Sequence, residues 1–100
     1  MTLETLCRIG EKGFVHNIAT GKDLSSGYSS AAIFYKDPDG AVDEVACDVV
    51  TEADGDFGAT AAAAYFDIEG IWEAQLEVTG ATWIFKLKTP LAFRVGASGE

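Results

Sequence analysis

The residues best suited to chemistry form a short acidic segment in the first half of the chain. Its four carboxylates fall within eight positions: Asp37, Asp39, Asp43 and Glu44. Clustered oxygen ligands are what Ca²⁺ and other hard cations prefer, so these residues are a candidate cation site. The segment departs from the EF-hand pattern, because glycine occupies its fourth position and the third acidic position is lost. Aspartates beside a proline and a glycine also serve backbone turns, and we therefore expect no resident metal or cofactor.

Nucleophilic or zinc chemistry would need the single histidine, His16, together with Cys7 or Cys47. No second histidine completes a metal-binding triad, and the two cysteines lack the Cys-x-x-Cys spacing of a zinc site. A Cys–His nucleophilic pair stays open, although a lone histidine in a strand is more often structural. A glycosidase needs two carboxylates across a sugar-lined cleft, for which so short a chain leaves little room. We predict that the chain is not an enzyme and that both cysteines are reduced.

Charge is distributed unevenly along the chain. The 100 residues contain 16 acids and 7 bases, which gives a net charge of −9. Twelve of the acids lie between Asp37 and Phe85, and this span contains no Lys or Arg. Binding to nucleic acid or to an anionic membrane surface would require a basic face, so neither partner is expected. The acidic span either maintains solubility or forms an interface that steers a basic partner or a neighbouring copy into place.

Turn residues divide the chain into short apolar segments, which is the pattern of an all-β protein. The predicted strands cover residues 14–19, 29–36, 41–51, 59–66, 71–79, 82–88 and 91–95. The segment 41–51 is treated as one strand, with Val45, Cys47 and Val49 on the same face. For the alanine-rich segment 59–66, a one-turn helix is the alternative. No apolar run has the length of a signal peptide or of a membrane span, so neither is expected.

Strands at intervals of about ten residues predict a single domain, an antiparallel immunoglobulin-like β-sandwich of about seven strands over residues 13–96. An antibody-type domain would place a tryptophan between two cysteines. Here Trp72 and Trp83 both follow Cys47, so we expect no disulfide between the sheets.

Strand alternation also predicts which side chains are buried and which meet a partner. The predicted core residues are Trp72, Leu76, Val78, Phe85 and Phe93. Residues 1–12 are predicted to be an N-terminal arm or docking segment, and residues 97–100 a polar tail. Several strands are apolar on both faces, so we expect another subunit to cover part of the surface. The interface candidates are Leu3, Leu6, Arg8, Ile84, Lys86 and Lys88.

Four short motifs follow one another in an order that resembles a known family. They are Lys22-Asp23-Leu24, Asp37-Pro38-Asp39-Gly40, Gly70-Ile71-Trp72-Glu73-Ala74-Gln75 and Phe93-Arg94-Val95. This order resembles the immunoglobulin-like domains of tailed-phage virion proteins. It is most similar to the N-terminal domain of phage baseplate upper proteins, where a Pro-Asp-Gly hairpin, a Gly-x-Trp-x-x-Gln strand and a closing Phe-x-Val strand recur. The resemblance covers residues 22–95 and supplies no catalytic residues.

The resemblance implies a non-enzymatic virion structural protein, a small sandwich that docks on a symmetric assembly. Baseplate proteins carry receptor-binding parts after this domain, whereas the present sequence stops at Glu100. We therefore expect a tail, baseplate or neck accessory, or a capsid decoration protein. Its expected partners are other virion proteins and copies of itself, within a particle assembled in the host cytoplasm. The alternative is a carbohydrate-binding or host-adhesion module, in which Tyr28, Tyr35 or Trp83 would stack on sugar rings.

Overall fold

The computed structural model describes residues 5–61 and 65–97, which form nine β-strands and no helix. The strands are β1 (Thr5–Arg8), β2 (Val15–Ala19), β3 (Tyr28–Lys36), β4 (Val42–Ala46), β5 (Val49–Thr51), β6 (Asp56–Thr60), β7 (Gly70–Gly80), β8 (Ile84–Lys86) and β9 (Leu91–Gly96). A six-stranded sheet has the order β1-β9-β7-β3-β4, with β8 also paired to β7, and a three-stranded sheet has the order β2-β6-β5. The predicted all-β sandwich without a disulfide is confirmed, with nine strands rather than about seven.

The longest strand, β7, lies at the centre of the larger sheet. Apolar and polar residues alternate along it, so one face packs against the smaller sheet while the other points outward. On the inner face, Trp72 lies opposite Phe93 of β9, and Leu76 lies opposite Ile33 of β3. The first half of β7 pairs with β9 and the second half pairs with β8 along the same edge. Strand β7 therefore pairs directly with β3, β8 and β9, and of the larger sheet only β1 and β4 are not its direct neighbours.

The core between the two sheets contains most of the core residues that strand alternation predicts. Trp72, Leu76, Val78 and Phe93 are each at most 6% exposed. Phe85 is only partly buried and packs against the margin of the core, because it lies on the short strand β8 at the end of the sheet.

Phe66 is the ring around which the aromatic part of the core is arranged. It lies outside any strand and is 2% exposed. Its ring meets those of Tyr35, Trp72 and Phe93 edge-on, at centroid distances of 5.2, 5.1 and 5.7 Å. Edge-to-face contacts of this kind contribute about 0.5–1.5 kcal/mol each beyond the burial itself. The predicted core did not include Phe66, because its burial depends on partners from three other segments.

The prediction of one strand over residues 41–51 is wrong, because the chain changes sheets in the middle of that segment. Strand β4 belongs to the larger sheet and β5 to the smaller one. The amide of Cys47 donates to the carbonyl of Ala31 at 3.0 Å, and the next amide, of Asp48, donates to Gly58 at 3.0 Å. The crossing reverses the inward face, so Val50 packs against the core while Val49 is 47% exposed.

The next predicted strand, over residues 59–66, is displaced towards the N-terminus. Strand β6 already begins at Asp56, three residues before the predicted start. Gly55 precedes it with a positive φ of 75°, and a side chain there would clash with the backbone of Lys22. The predicted strand and its helical alternative both include residues 62–64, which lie outside the described residues.

Part of the predicted N-terminal arm is a strand of the larger sheet. Strand β1 pairs in parallel with β9, and Cys7 is buried opposite Val95. The amide of Ile9 continues the pairing by donating to the carbonyl of Gly96 at 2.9 Å. Four residues with a single fully buried side chain give too little alternation to predict a strand. Leu3 and the last three residues of the predicted polar tail lie outside the described residues.

Candidate functional site

The single histidine forms a hydrogen bond that links the two sheets. His16 lies on β2 of the smaller sheet, and its Nδ1 is 2.7 Å from the hydroxyl oxygen of Tyr35 on β3 of the larger sheet. Its ring also meets Phe93 edge-on at a centroid distance of 5.3 Å. Burial lowers the pKa of His16, and burial is also the main reason that the pKa of Tyr35 is raised. At neutral pH the bond therefore joins an uncharged imidazole to an uncharged phenol.

A groove of about 370 Å³ opens beside His16, between the edge strand β2 and strands β1 and β9. It is lined by Leu6, Val15, His16, Asn17, Leu91, Ala92 and Phe93. A catalytic histidine needs a carboxylate to orient it or a nucleophile to deprotonate. The lining contains neither a carboxylate nor a thiol, so the described residues give His16 only a phenol partner.

The four carboxylates of the candidate cation site do not converge on one point, although Asp37 and Asp43 line the same cleft. Asp37 forms the turn between β3 and β4, and its Oδ1 accepts hydrogen bonds from the amides of Asp39 and Ala41, both at 2.9 Å. Asp43 and Glu44 are neighbours on β4, so their side chains project to opposite faces of the sheet. Across residues 5–61 and 65–97, no group of three or more His, Cys, Asp or Glu residues could hold a metal ion. The geometry of the described residues therefore gives no support to the hypothesis of a cation site here.

An acidic cleft of about 410 Å³ lies on the inner side of the same turn. Its lining includes Asp37, Asp43 and Asp67, together with Tyr65 and Trp72. The Tyr65 hydroxyl oxygen is buried and makes no hydrogen bond to the described residues. Burial, followed by the charge of Asp43, raises the pKa of Tyr65 to about 12. The sequence analysis did not single out Tyr65 or Asp67, because no local pattern places them beside the β3–β4 turn.

The aromatic residues proposed to stack on sugars are engaged within the fold. All eleven aromatic side chains fall within the described residues, and each is buried or partly buried. Trp83 donates its Nε1–H to the carbonyl of Ser26 at 2.9 Å, and its ring covers Gly80 so closely that a side chain there would clash. Tyr35 is 2% exposed, and Tyr28 packs near Phe57 with a centroid distance of 6.1 Å.

The predicted interface residues are spread over several parts of the surface. Ile84 and Lys86 point outward from β8, and Lys88 is exposed in the loop that leads to β9. Arg8 is exposed on β1, whereas Leu6 is partly buried in the groove beside His16. Leu3 lies outside the described residues.

Three apolar residues share the outward face of the larger sheet with Ile84, and two of them, Val42 and Ile71, were not among the predicted interface residues. The third is Phe34, on the second apolar face predicted for β3. Val42 is 62% exposed and Ile71 is 55% exposed. Strand alternation could have identified these residues, because it places them on the face that points away from the core.

Both cysteines are free thiols of low reactivity. Cys7 is buried, and Cys47 is partly buried at the crossing between the sheets. Burial, with a smaller effect of Asp48, raises the pKa of Cys47 to about 11. Burial and the charge of Glu11 raise the pKa of Cys7 as well. Since the thiolate is the nucleophilic form, neither thiol is activated at neutral pH.

In the part of the chain that the structure describes, no helix is long and apolar enough to cross a membrane. A scan against protein-family models, a search of curated proteins and a search of solved structures each found no match.

Proposed function

We propose that this protein is a non-enzymatic structural component of a tailed-phage particle, a sandwich module that docks on a symmetric assembly. The observation that carries the proposal is the outward face of the larger sheet, where Val42, Ile71 and Ile84 are each more than half exposed. Val42 and Ile71 lie near one end of this face, and Ile84 lies at the other end beside Thr79. Exposed apolar side chains along one sheet face are typical of surfaces that meet a protein partner.

The residues that could do chemistry support the same proposal, because they have structural roles. The only histidine bonds Tyr35 between the sheets, and Asp37 organises the β3–β4 turn. The motifs that carry the phage resemblance coincide with this framework, since Trp72 lies on β7 and Phe93 pairs with it from β9. The proposed partners are other virion proteins and copies of this chain, in a particle assembled in the host cytoplasm.

The direct test is the composition of purified particles. Phage particles induced from the strain that encodes the chain are banded by density, and their proteins are quantified by mass spectrometry. The proposal predicts this chain in a fixed ratio to the major capsid protein, and retention of the ratio after a second band purification. Particles that lack the chain, or lose it progressively with washing, would overturn the proposal.

A carbohydrate-binding or host-adhesion module is the second candidate, and the acidic cleft beside Tyr65 is the observation that favours it. Carboxylates and an unpartnered phenol could receive the hydroxyls of a sugar. The burial of the aromatic rings weighs against it, because sugar rings stack on exposed aromatic faces. Binding on a glycan array that is lost in Asp43→Asn would support adhesion, whereas an array without binding would support the structural role.

A further inference from the structure

The outward side chains of β3, β4, β7, β8 and β9 form one continuous surface, which we call the central outer face. Its apolar residues include Val42, Phe34, Ile71 and Ile84, of which Ile84 is 63% exposed. Its charged residues are Lys36, Lys86, Arg94, Glu44, Glu73 and Glu77. Apolar and charged side chains are mixed on this surface, and near its middle the partly buried Gln75 donates its Nε2–H to the carbonyl of Leu87 at 2.9 Å.

The central outer face is electrically neutral on a strongly acidic molecule. It holds three of the seven bases and three of the sixteen acids, so the other four bases and thirteen acids account for the net charge of −9. Copies of this chain repel each other through most of their surfaces. A contact between copies is therefore favoured only where the local charge cancels, and the central outer face is such a place.

One row of side chains on this face also complements itself. Across the sheet, this row reads Val42, Lys36, Glu73 and Ala92, from β4 through β3 and β7 to β9. When a second copy faces the first with this row running in the opposite direction, Lys36 of each copy lies over Glu73 of the other, and Val42 lies over Ala92. Within one copy, Lys36 Nζ and Glu73 Oε1 are 4.0 Å apart and both side chains are largely exposed, so both charges can reach a facing surface.

We propose that two copies of this chain pack through the central outer face, about a two-fold axis that runs along the strands between β3 and β7. This axis places Lys36 of each copy over Glu73 of the other, and Val42 over Ala92. An isologous contact of this kind is the commonest form of symmetric association. The inference rests on the proposed docking role of this face and names a second copy as its partner, but it does not depend on the phage context.

A second copy suits this face better than a highly charged partner. A basic protein would be attracted to the acidic remainder of the surface, and an acidic protein would be repelled by it. The neutral face attracts neither at long range. Val42 over Ala92 gives the contact its apolar part, and the paired charges of Lys36 and Glu73 set its register.

Sedimentation equilibrium over protein concentrations of about 10 μM to 1 mM tests the proposal, since interfaces of modest area dissociate in this range. The wild-type chain should populate a dimer reversibly. Glu73→Lys places like charges opposite each other in both symmetry-related pairs and should weaken dimerisation about tenfold. Lys36→Glu should do the same, and the double variant Lys36→Glu/Glu73→Lys should restore the wild-type constant.

Val49→Lys on β5 is the matched control, because it adds a charge at a similarly exposed apolar residue of the other sheet. It should leave dimerisation unchanged, and thermal melts should show that all variants remain folded. A wild-type chain that stays monomeric at the highest concentration overturns the inference, as does a double variant no better than the single ones. A dimer found for a chain that is absent from purified particles would keep this inference and remove the phage proposal.

Discussion

The imidazole Nδ1 of His16 lies 2.7 Å from the hydroxyl oxygen of Tyr35, and this hydrogen bond joins the two sheets of the sandwich. The pair lies among aromatic rings, with Phe93 in edge contact with both partners. An intact hydrogen bond in such surroundings contributes little net free energy to folding, but removing one partner leaves the other polar group unsatisfied and destabilises the fold. The bond therefore specifies how the sheets face each other.

Replacing Tyr35 with phenylalanine should destabilise the protein by about 1–2 kcal/mol, because it leaves the Nδ1 of the partly buried His16 without its protein partner. Tyr65→Phe is the matched control. It removes the same atom from a hydroxyl that has no hydrogen-bond partner among the described residues, so it should be close to neutral. Urea unfolding of both variants measures the difference. Equal losses of stability would contradict the assigned role of the His16–Tyr35 bond.

Acidification should weaken the fold through His16. Burial lowers the pKa of His16 below the value of 6.5 that it has when exposed. Below pH 6.5 the unfolded chain binds more protons at His16 than the folded chain does. The contribution of His16 to the free energy of unfolding is therefore complete above pH 6.5 and is lost as the pH falls. The urea midpoint of the wild type, measured between about pH 5 and 8, should fall more steeply on acidification than that of His16→Gln. Parallel pH profiles would exclude His16 as the cause.

The thiol of Cys47 should react slowly in the folded protein. A pKa raised from 9.0 to about 11 lowers the thiolate fraction roughly a hundredfold at pH 8. The rate of modification by a disulfide reagent can be measured in Cys7→Ala, which isolates Cys47. That rate should rise at least tenfold when urea unfolds the chain. A native thiol that reacts as fast as the unfolded one would disprove the protected environment.

Asp37 should stabilise the fold through its turn rather than through a metal ion. Asp37→Ala removes the acceptor of two backbone amides and should cost about 1–2 kcal/mol in the free energy of unfolding. Asp39→Ala is the control, since the Asp39 side chain is exposed at the same turn. Thermal melts with Ca²⁺ and with a chelator should coincide for the wild type. If Ca²⁺ raises the melting temperature of the wild type and Asp37→Ala abolishes that rise, the result would support the cation-site hypothesis.

The features that the sequence by itself determined are those carried by neighbours along the chain. The alternation from Trp72 to Val78 specifies a half-buried strand, because successive side chains of a strand point to opposite faces. The order Asp37-Pro38-Asp39-Gly40 specifies a turn, and Gly40 adopts a φ of 94° there. These local signals were sufficient for the all-β fold and for most of its core.

Tertiary structure decided everything that depends on contacts between distant segments. The crossing at Cys47 and Asp48 is set by hydrogen bonds to Ala31 and Gly58, on strands of two different sheets. The parallel pairing of β1 with β9 joins opposite ends of the chain. The partner of His16 and the neutral face around Lys36 and Glu73 likewise exist only when separate strands lie side by side. Periodicity along one segment reports which face is buried, but not which other segment buries it.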